Sequence, residues 1–441
     1  MREFIHSVSL DIEKCKGCTN CLKHCPTEAI RIRNGHAVIN SEHCIDCGEC
    51  IRKCPYKAKK AIYDRFSETS RFKWKIALPA PAIYGQFDNI DDIDCILSAI
   101  LECGFDDIYE VARGAELVSA YTRYYINSKN VKKPIISSAC PVIARLISVR
   151  FPYLCENLLP ILPPIEIAAA KARKKALEEH PEFSPEDIGV FFISPCPAKV
   201  SYVKNPIGTE KSCIDAVLSI SELYFMILGK LKNIKTPLPL SRAGVIGVSW
   251  AGTGGEASAL FNDRYLAADG IDNVIDVLDQ LENDKLSDVE FIELNACSGG
   301  CVGGTLTVEN PFIAKARLQN LRRYLPVTQN HPVHKFDESA ENGGVPDSIM
   351  WSDKVSYLPV AQLDSDRASA LRMMNEIEEY HKKLPHLDCG SCGAPNCRAL
   401  AEDIVKGEAD ENDCIIRMKE QIEMVYKSLG GLIGRDKSGE E

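Results

Sequence analysis

The chain has 441 residues, 45% of them hydrophobic and 26% charged, with a formal net charge of -10. That length gives room for roughly two to four domains with a substantial core, and the acidic balance excludes a domain-wide basic face for nucleic acid. No apolar run reaches the ~18 residues of a membrane span, and "MREFIHSVSLDIEKCKGC" lacks the apolar stretch of a signal peptide, so a cytoplasmic protein is expected.

In a reducing compartment the 20 cysteines point to metal ligation rather than disulfides. The first group is "CKGCTNCLKHCP" (residues 15–26) and "CIDCGECIRKCP" (44–55), each C-x2-C-x2-C-x3-C-P. This is the ligand spacing of a bacterial two-cluster ferredoxin, in which the fourth cysteine of one run ligates the other cluster. Cys15, Cys18, Cys21 and Cys54 would hold one 4Fe-4S cluster, and Cys44, Cys47, Cys50 and Cys25 the other. Zinc sites use four ligands in two pairs, and eight cysteines in a twofold repeat do not suit them. Residues 52–75 carry nine Lys/Arg against two Asp/Glu, which reads either as a guide for an acidic redox partner or as a solvated linker.

Five apolar, strand-like runs follow: "WKIAL" into Pro79-Ala80-Pro81, "PIISS" before Cys140, "IGVFFIS" into Pro195-Cys196, "AGVIGVSW" into "AGTGGEAS", and "VEFIEL" before Cys297 and Cys301. Helix-like segments, notably "IEIAAAKARKKALEEH" and "NVIDVLDQLEN", alternate with them, which predicts α/β layers with largely parallel strands. Ligands of such sheets bind outside the carboxyl ends of the strands. Cys140, Cys196, Cys297 and Cys301 would emerge there and suit a third 4Fe-4S cluster. Cys95, Cys103, Cys155 and Cys213 have no such context and read as buried core thiols. No Walker-type loop or strand-linked GxGxxG is present.

From 337 to 348 "DESAENGGVPDS" reads as a loop, and "SDRASALRMMNEIEEYHKKL" as a helix. "DCGSCGAPNCRALAEDIVKGEADENDC" then spaces Cys389, Cys392, Cys397 and Cys414 as C-x2-C-x4-C-x16-C, with a short helix after Cys397 that ends near Gly407. A fourth 4Fe-4S cluster is expected there, with structural zinc as the alternative. Over about 30 residues this stretch resembles the small iron-sulfur domain of the B subunit of Rnf electron-transport complexes and of the corrinoid iron-sulfur protein.

"SACP", "SPCPAK" and "ELNACSGGCVGG", with "APAI" (80–83), "GFDDIYE" (104–110) and "GTGGEA" (252–257), resemble the cluster-binding motifs of the iron-only (FeFe) hydrogenases. The resemblance implies that the four central cysteines hold the cubane half of a hydrogen-activating cluster. Cys301 would bridge to a diiron subsite bearing CO and CN, and Lys199 would place its ammonium on a cyanide as a charge-assisted contact. Ala80, Pro81 and Pro195 would line that subsite. Ala139 stands where hydrogen-evolving members carry a proton-passing cysteine, and alanine has no transferable proton. Tyr202 and Tyr121-Thr122 stand where glutamates are expected, and Ser194 and Asn295 replace methionines. "CVGGTLT" departs from a longer glycine run.

Similar departures mark sensory branches of the family. The expectation is therefore an iron-sulfur oxidoreductase that interconverts H2 with protons and electrons slowly, or senses H2, with a redox or signalling protein as partner. The alternative is a non-catalytic iron-sulfur carrier or cluster-assembly protein without the diiron subsite. The expected organisation is a ferredoxin domain at 1–62, a linker at 63–75, a hydrogenase-like α/β domain at 76–355, a helical connection at 356–384, a small helical iron-sulfur domain at 385–430 and a disordered tail at 431–441.

Overall fold

The computed structural model describes residues 6–433 apart from 130, 338, 359–362 and 365. They form two compact units, one of residues 6–9, 45–48 and 60–358, the other of residues 10–44, 49–59 and those from 363 onward. The helix Ile415–Ile433 takes in the first three residues of the tail expected to be disordered, and 434–441 lie outside the described residues.

In the larger unit the apolar runs become parallel sheets. One has the order Asp107–Ile108, Trp74–Pro79, Ile188–Ser194, Ala216–Ser219, and all its pairs are parallel. The other has the order Tyr265–Asp269, Phe291–Asn295, Ile135–Ile136, again parallel. The strand Ile188–Ser194 is buried at all seven positions, as a strand covered on both faces must be. Side chains alternate across it. Val190 and Phe192 pack with Ile76 and Leu78 against the alanine-rich helix Pro164–Glu179. Phe191 and Ile193 pack with Ala77 on the opposite face, against the helices Ile93–Leu101 and Ile220–Leu231.

The run "AGVIGVSW" is not a strand. It forms the helix Val245–Ser249, followed by the short helix Gly255–Ser258. The period of so short an apolar run does not separate strand from helix. Packing decides it: a Cβ on Gly247 would stand 2.2 Å from the carbonyl oxygen of Ala112, on the helix Val111–Ile126.

Prolines fix how the chain leaves two of the strands. Pro141 opens the helix Pro141–Arg150 directly after Cys140, and Pro197 opens Pro197–Lys204 directly after Cys196. Proline at the first helical position costs no hydrogen bond. Each cysteine thereby becomes an N-cap at the positive end of a helix, which favours negative charge on sulfur.

Residues 45–48 are built into this larger unit. Ile45 and Cys47 pack with Val142, Ile143, Cys140 and Cys196. Between them Asp46 is buried, accepts the Ser7 N–H at 2.8 Å and faces the Arg145 guanidinium at 3.5 Å. Arg145, on the helix that starts at Cys140, also donates to Ser201 Oγ at 2.8 Å. Burial pushes the Asp46 carboxyl up, while Arg145 and its hydrogen bonds pull it back. Removing one partner of such a pair leaves a buried, uncompensated charge. Arg145→Ala is therefore expected to cost about 3–5 kcal/mol of stability, read as a lowered denaturation midpoint under anaerobic conditions. An unchanged midpoint would contradict the packing described.

Candidate functional site

The carboxyl ends of the strands and the loops after them enclose a cavity of about 60 Å³, several times the ~10–15 Å³ that one water needs. Ala80, Pro81, Ala139, Cys140, Pro195, Lys199 and Cys301 line it, together with Ser137, Glu256, Glu293 and Asn295. The parallel register accounts for the convergence. Pro79 pairs with Ile193, and Asp269 with Asn295, so neighbouring strands end level and their following residues meet.

Cys196 and Cys297 do not line this cavity, but both act on Lys199. Burial opposes the Lys199 charge, yet the thiolates of Cys301, Cys196, Cys140 and Cys297, in that order, outweigh it and push its pKa up. Burial pushes the Cys301 thiol up to about 11, with Lys199 pulling the other way. Four soft sulfur donors that all act on one ammonium could serve a metal cluster, whose binding would displace the thiol protons.

The turn Cys301–Gly303 follows, and Gly304 lies against Pro195, where a Cβ would stand 2.1 Å from the Pro195 carbonyl oxygen. Leu306 N–H donates to that same oxygen at 2.9 Å. A Cβ on Gly303 would stand 2.0 Å from the Ser298 carbonyl oxygen, so both glycines of the shortened run sit where backbone meets backbone. Ser194 Oγ donates to the Cys196 carbonyl at 2.9 Å and accepts the Cys196 N–H at 3.2 Å, which ties the loop that carries Pro195.

Two carboxylates in this cavity are not apparent from sequence, although both lie in stretches with a clear pattern, "GTGGEAS" and "VEFIEL". Glu293 accepts from Gly254 N–H at 2.9 Å, Ala257 N–H at 2.8 Å and Asn295 Nδ2 at 2.9 Å. Glu256 accepts from Ser137 Oγ at 2.6 Å, and its Oε1 has no hydrogen-bond partner among the described residues. Burial first, then the charge of Glu293, pushes the Glu256 carboxyl up. With three N–H donors Glu293 is the better site for the negative charge, so the pair holds its proton on Glu256.

The residues at the expected relay positions do not supply a carboxylate here. Thr122 Oγ1 donates to the Val118 carbonyl at 2.8 Å within its own helix, and Tyr121 packs in a hydrophobic cluster. The Tyr202 hydroxyl is buried without a partner among the described residues, beside a smaller cavity that Ala139, Lys199 and Trp351 also line.

In the second unit Cys15, Cys18, Cys21 and Cys54 line one cavity. Backbone N–H groups of Ala37 and Ala58 point at the sulfurs of Cys15 and Cys54, at 3.4 and 3.3 Å. Cys25 receives the Ala29 N–H at 3.2 Å. Cys389, Cys392, Cys397 and Cys414 line another cavity, where Asp388 accepts the Cys397 N–H at 2.7 Å. Of the cysteines expected as core thiols, Cys213 is exposed rather than buried, while Cys95, Cys103 and Cys155 are half-buried. The Cys213 backbone is held instead, its N–H donating to buried Glu166 at 2.8 Å.

Comparison with known proteins gives three family matches. Residues 73–262 and 255–305, together more than half of the chain, match the iron only hydrogenase large subunit, C-terminal domain. Residues 7–55 match a 4Fe-4S dicluster domain and residues 384–416 an Fe-S cluster domain. The chain is 27% identical over 369 residues to the periplasmic [Fe] hydrogenase large subunit of Nitratidesulfovibrio vulgaris, covering 68% of this chain and 86% of that one. It is 24% identical over 402 residues to iron hydrogenase 1 of Clostridium pasteurianum, covering 75% and 70%. A shorter match, 47% over 66 residues, links it to one component of an ion-translocating oxidoreductase complex of Thiobacillus denitrificans, the B-type protein, covering 14% and 35%. Among the described residues no helix is long and apolar enough to cross a membrane.

The protonation of the carboxylate pair can be checked directly. At neutral pH one component of the protonated-carboxyl infrared band should belong to Glu256, shift in D2O and vanish in Glu256→Gln. Its persistence in that variant would place the proton on another group.

Proposed function

The chain belongs to the iron-only hydrogenase large-subunit family, and from that premise we propose that it is an iron-sulfur oxidoreductase that interconverts H2 with protons and electrons slowly, or senses H2. In this reading Cys140, Cys196, Cys297 and Cys301 hold a 4Fe-4S cubane, and a diiron subsite with CO and CN ligands sits in the adjoining cavity beside Lys199. The ferredoxin cysteines hold two further 4Fe-4S clusters, and Cys389, Cys392, Cys397 and Cys414 a fourth.

The observation that carries the reading is the half-buried Lys199 ammonium, set among four sulfurs and exposed to a cavity whose other wall, Ala80, Pro81, Pro195 and Asn295, offers no thiol. A cubane alone would not call for that space. An ammonium aimed into it suits an anionic ligand such as cyanide.

When bound, the diiron subsite supplies the metal site at which H2 is formed or split. The chain's own residues determine how protons reach it. Ala139 can neither give nor take one. Glu256 can hold a proton at Oε1 on the cavity wall, while Ser137 fixes its other oxygen. Burial raises Glu293 as well, but its three N–H donors favour its charged form, and that charge raises the affinity of Glu256 for the proton. Such a carboxyl is a slow donor when no chain of titratable groups refills it, which fits low turnover or a sensing role.

The carrier reading rests on Asn295, Ser194 and the shortened glycine run, of which Asn295 places a polar group on the cavity wall. Asn295, however, is already committed to Glu293. We propose a cytoplasmic protein, in which a reducing compartment would keep the cysteines free to ligate metal, although one relative is named as periplasmic. Its partner would be a redox or signalling protein.

Infrared spectroscopy of protein matured with a complete diiron subsite tests the proposal. CO and CN stretching bands are expected, with about 18 iron per chain, against about 16 for four cubanes alone. Absent bands at full cubane loading would leave the carrier reading standing, and one zinc per chain with about 12 iron would remove the C-terminal cluster.

The same preparation tests the proton argument. Glu256→Gln should retain the bands and lower H2 turnover by about 100-fold or more, the scale of a lost general acid. Ala139→Cys alone should raise turnover by less than about tenfold, and Ala139→Cys with Tyr202→Glu by more than the product of the two single changes. High wild-type turnover would contradict this account.

A further inference from the structure

In the second unit a single β-strand lies between two four-cysteine cavities. The strand Ile30–Arg33 pairs antiparallel with His36–Ile39, and the hairpin turns at Asn34-Gly35, both with positive φ. Ile32 lines the cavity of Cys15, Cys18, Cys21 and Cys54. Its N–H donates at 2.8 Å to the carbonyl of Gly393, which lies between Cys392 and Cys397 in the sequence. Gly393 has φ +84°, and a Cβ there would stand 2.3 Å from the Ile32 carbonyl oxygen. No other residue fits so close to the strand.

On either side of Ile32 in the sequence, Arg31 and Arg33 share a face of the strand, and both reach Asp403. Arg31 Nε donates to Asp403 Oδ2 at 2.7 Å, and Arg33 Nη2 donates to the same oxygen. Asp403 is buried and lies on the helix Cys397–Val405, whose first residue is a cysteine of the C-terminal site. At the other rim Asn396 Nδ2 donates to Glu28 Oε1 at 2.7 Å, and a Cβ on Gly390 would stand 3.2 Å from Lys23 Cε. Lys23 ends the short helix that carries Cys21. A carboxylate buried against two guanidiniums is costly to assemble and gives a fixed geometry in return.

We infer that Asp403 is a positioning residue that clamps the C-terminal four-cysteine site against the first ferredoxin site, so that the two exchange single electrons through one strand. The inference rests on the reading that both sites hold 4Fe-4S clusters. The step is an electron transfer alone: a reduced cluster in one site is oxidised as an oxidised cluster in the other is reduced, and no atom or proton moves. The C-terminal site then extends the ferredoxin relay instead of serving as a separate structural staple.

The test uses the full chain, prepared anaerobically, reduced with dithionite and examined by electron paramagnetic resonance together with iron analysis. The wild-type spectrum is expected to show magnetic interaction between clusters. Cys389→Ser should lose about four iron per chain and, with them, part of that interaction. Asp403→Asn, which keeps every cysteine, should keep its iron but show a weakened interaction, and Asp403→Glu should recover more of it than Asn does.

A spectrum that is the plain sum of separate clusters in wild type would overturn the inference while leaving the cluster reading intact. An interaction unaffected by Asp403→Asn would overturn the clamp. Unchanged iron in Cys389→Ser would overturn both the cluster reading at that site and the inference built on it.

Discussion

A half-buried ammonium needs negative partners, and those that favour the charge of Lys199 are sulfurs. Taking one charge out of water costs several kcal/mol even after relaxation, and negative charge on Cys301, Cys196, Cys140 and Cys297 is what favours the charged form of Lys199. Two of those sulfurs, Cys301 and Cys196, are themselves pushed toward the neutral thiol by burial. Each side of the arrangement makes the other possible. The parallel strands bring the cysteines to one end of the sheet, the prolines at 141 and 197 turn two of them into helix N-caps, and the remaining charge balance is set by the one lysine.

That balance constrains the carboxylates next to it. Two ionised glutamates in the same cavity would compete with the thiolates for Lys199 and repel each other, and the structure avoids this by unequal solvation. Glu293 has three N–H donors, whereas Glu256 has a single hydroxyl. Burial pushes both carboxyls up, and the three donors make Glu293 the one that keeps its charge more readily while the proton favours Glu256. Environment divides carboxylates into acid and base in this way wherever their pKa values are driven apart.

How much of this was legible depended on how local each signal was. The eight ferredoxin cysteines and the C-terminal four are set by spacing within short stretches, so they could be read directly. Cys140, Cys196, Cys297 and Cys301 are far apart in the chain, yet each follows an apolar run, and the parallel sheet turns that shared position into proximity. The short strands Asp107–Ile108, Ala216–Ser219 and Tyr265–Asp269 have too few residues to show a period. "AGVIGVSW" went to a helix because Gly247 has to meet Ala112. Glu256 and Glu293 were missed for a different reason: a glutamate in a strand or turn pattern reads as solvent-facing, and only the layers above and below the sheet reveal that it is buried. The ion pair from Asp403 to Arg31 and Arg33 joins residues about 370 positions apart, with no local trace at either end.

Ala139 can be understood within the same frame. Its side chain is inert, but its N–H donates to Ser137 Oγ at 3.3 Å, and Ser137 in turn holds Glu256. The backbone at 139 is therefore still tied to a proton-bearing group, one serine away, although the residue itself bears no proton. A thiol at this position would be both a proton donor and a site of oxidation; a methyl group is neither. In the proposed reading, exchanging the thiol for a buried carboxyl two hydrogen bonds further back gives up turnover and removes an oxidisable group from the cavity wall. A protein that reports H2 rather than consuming it loses little by that exchange, because its output depends on the state it holds and not on how often that state is renewed.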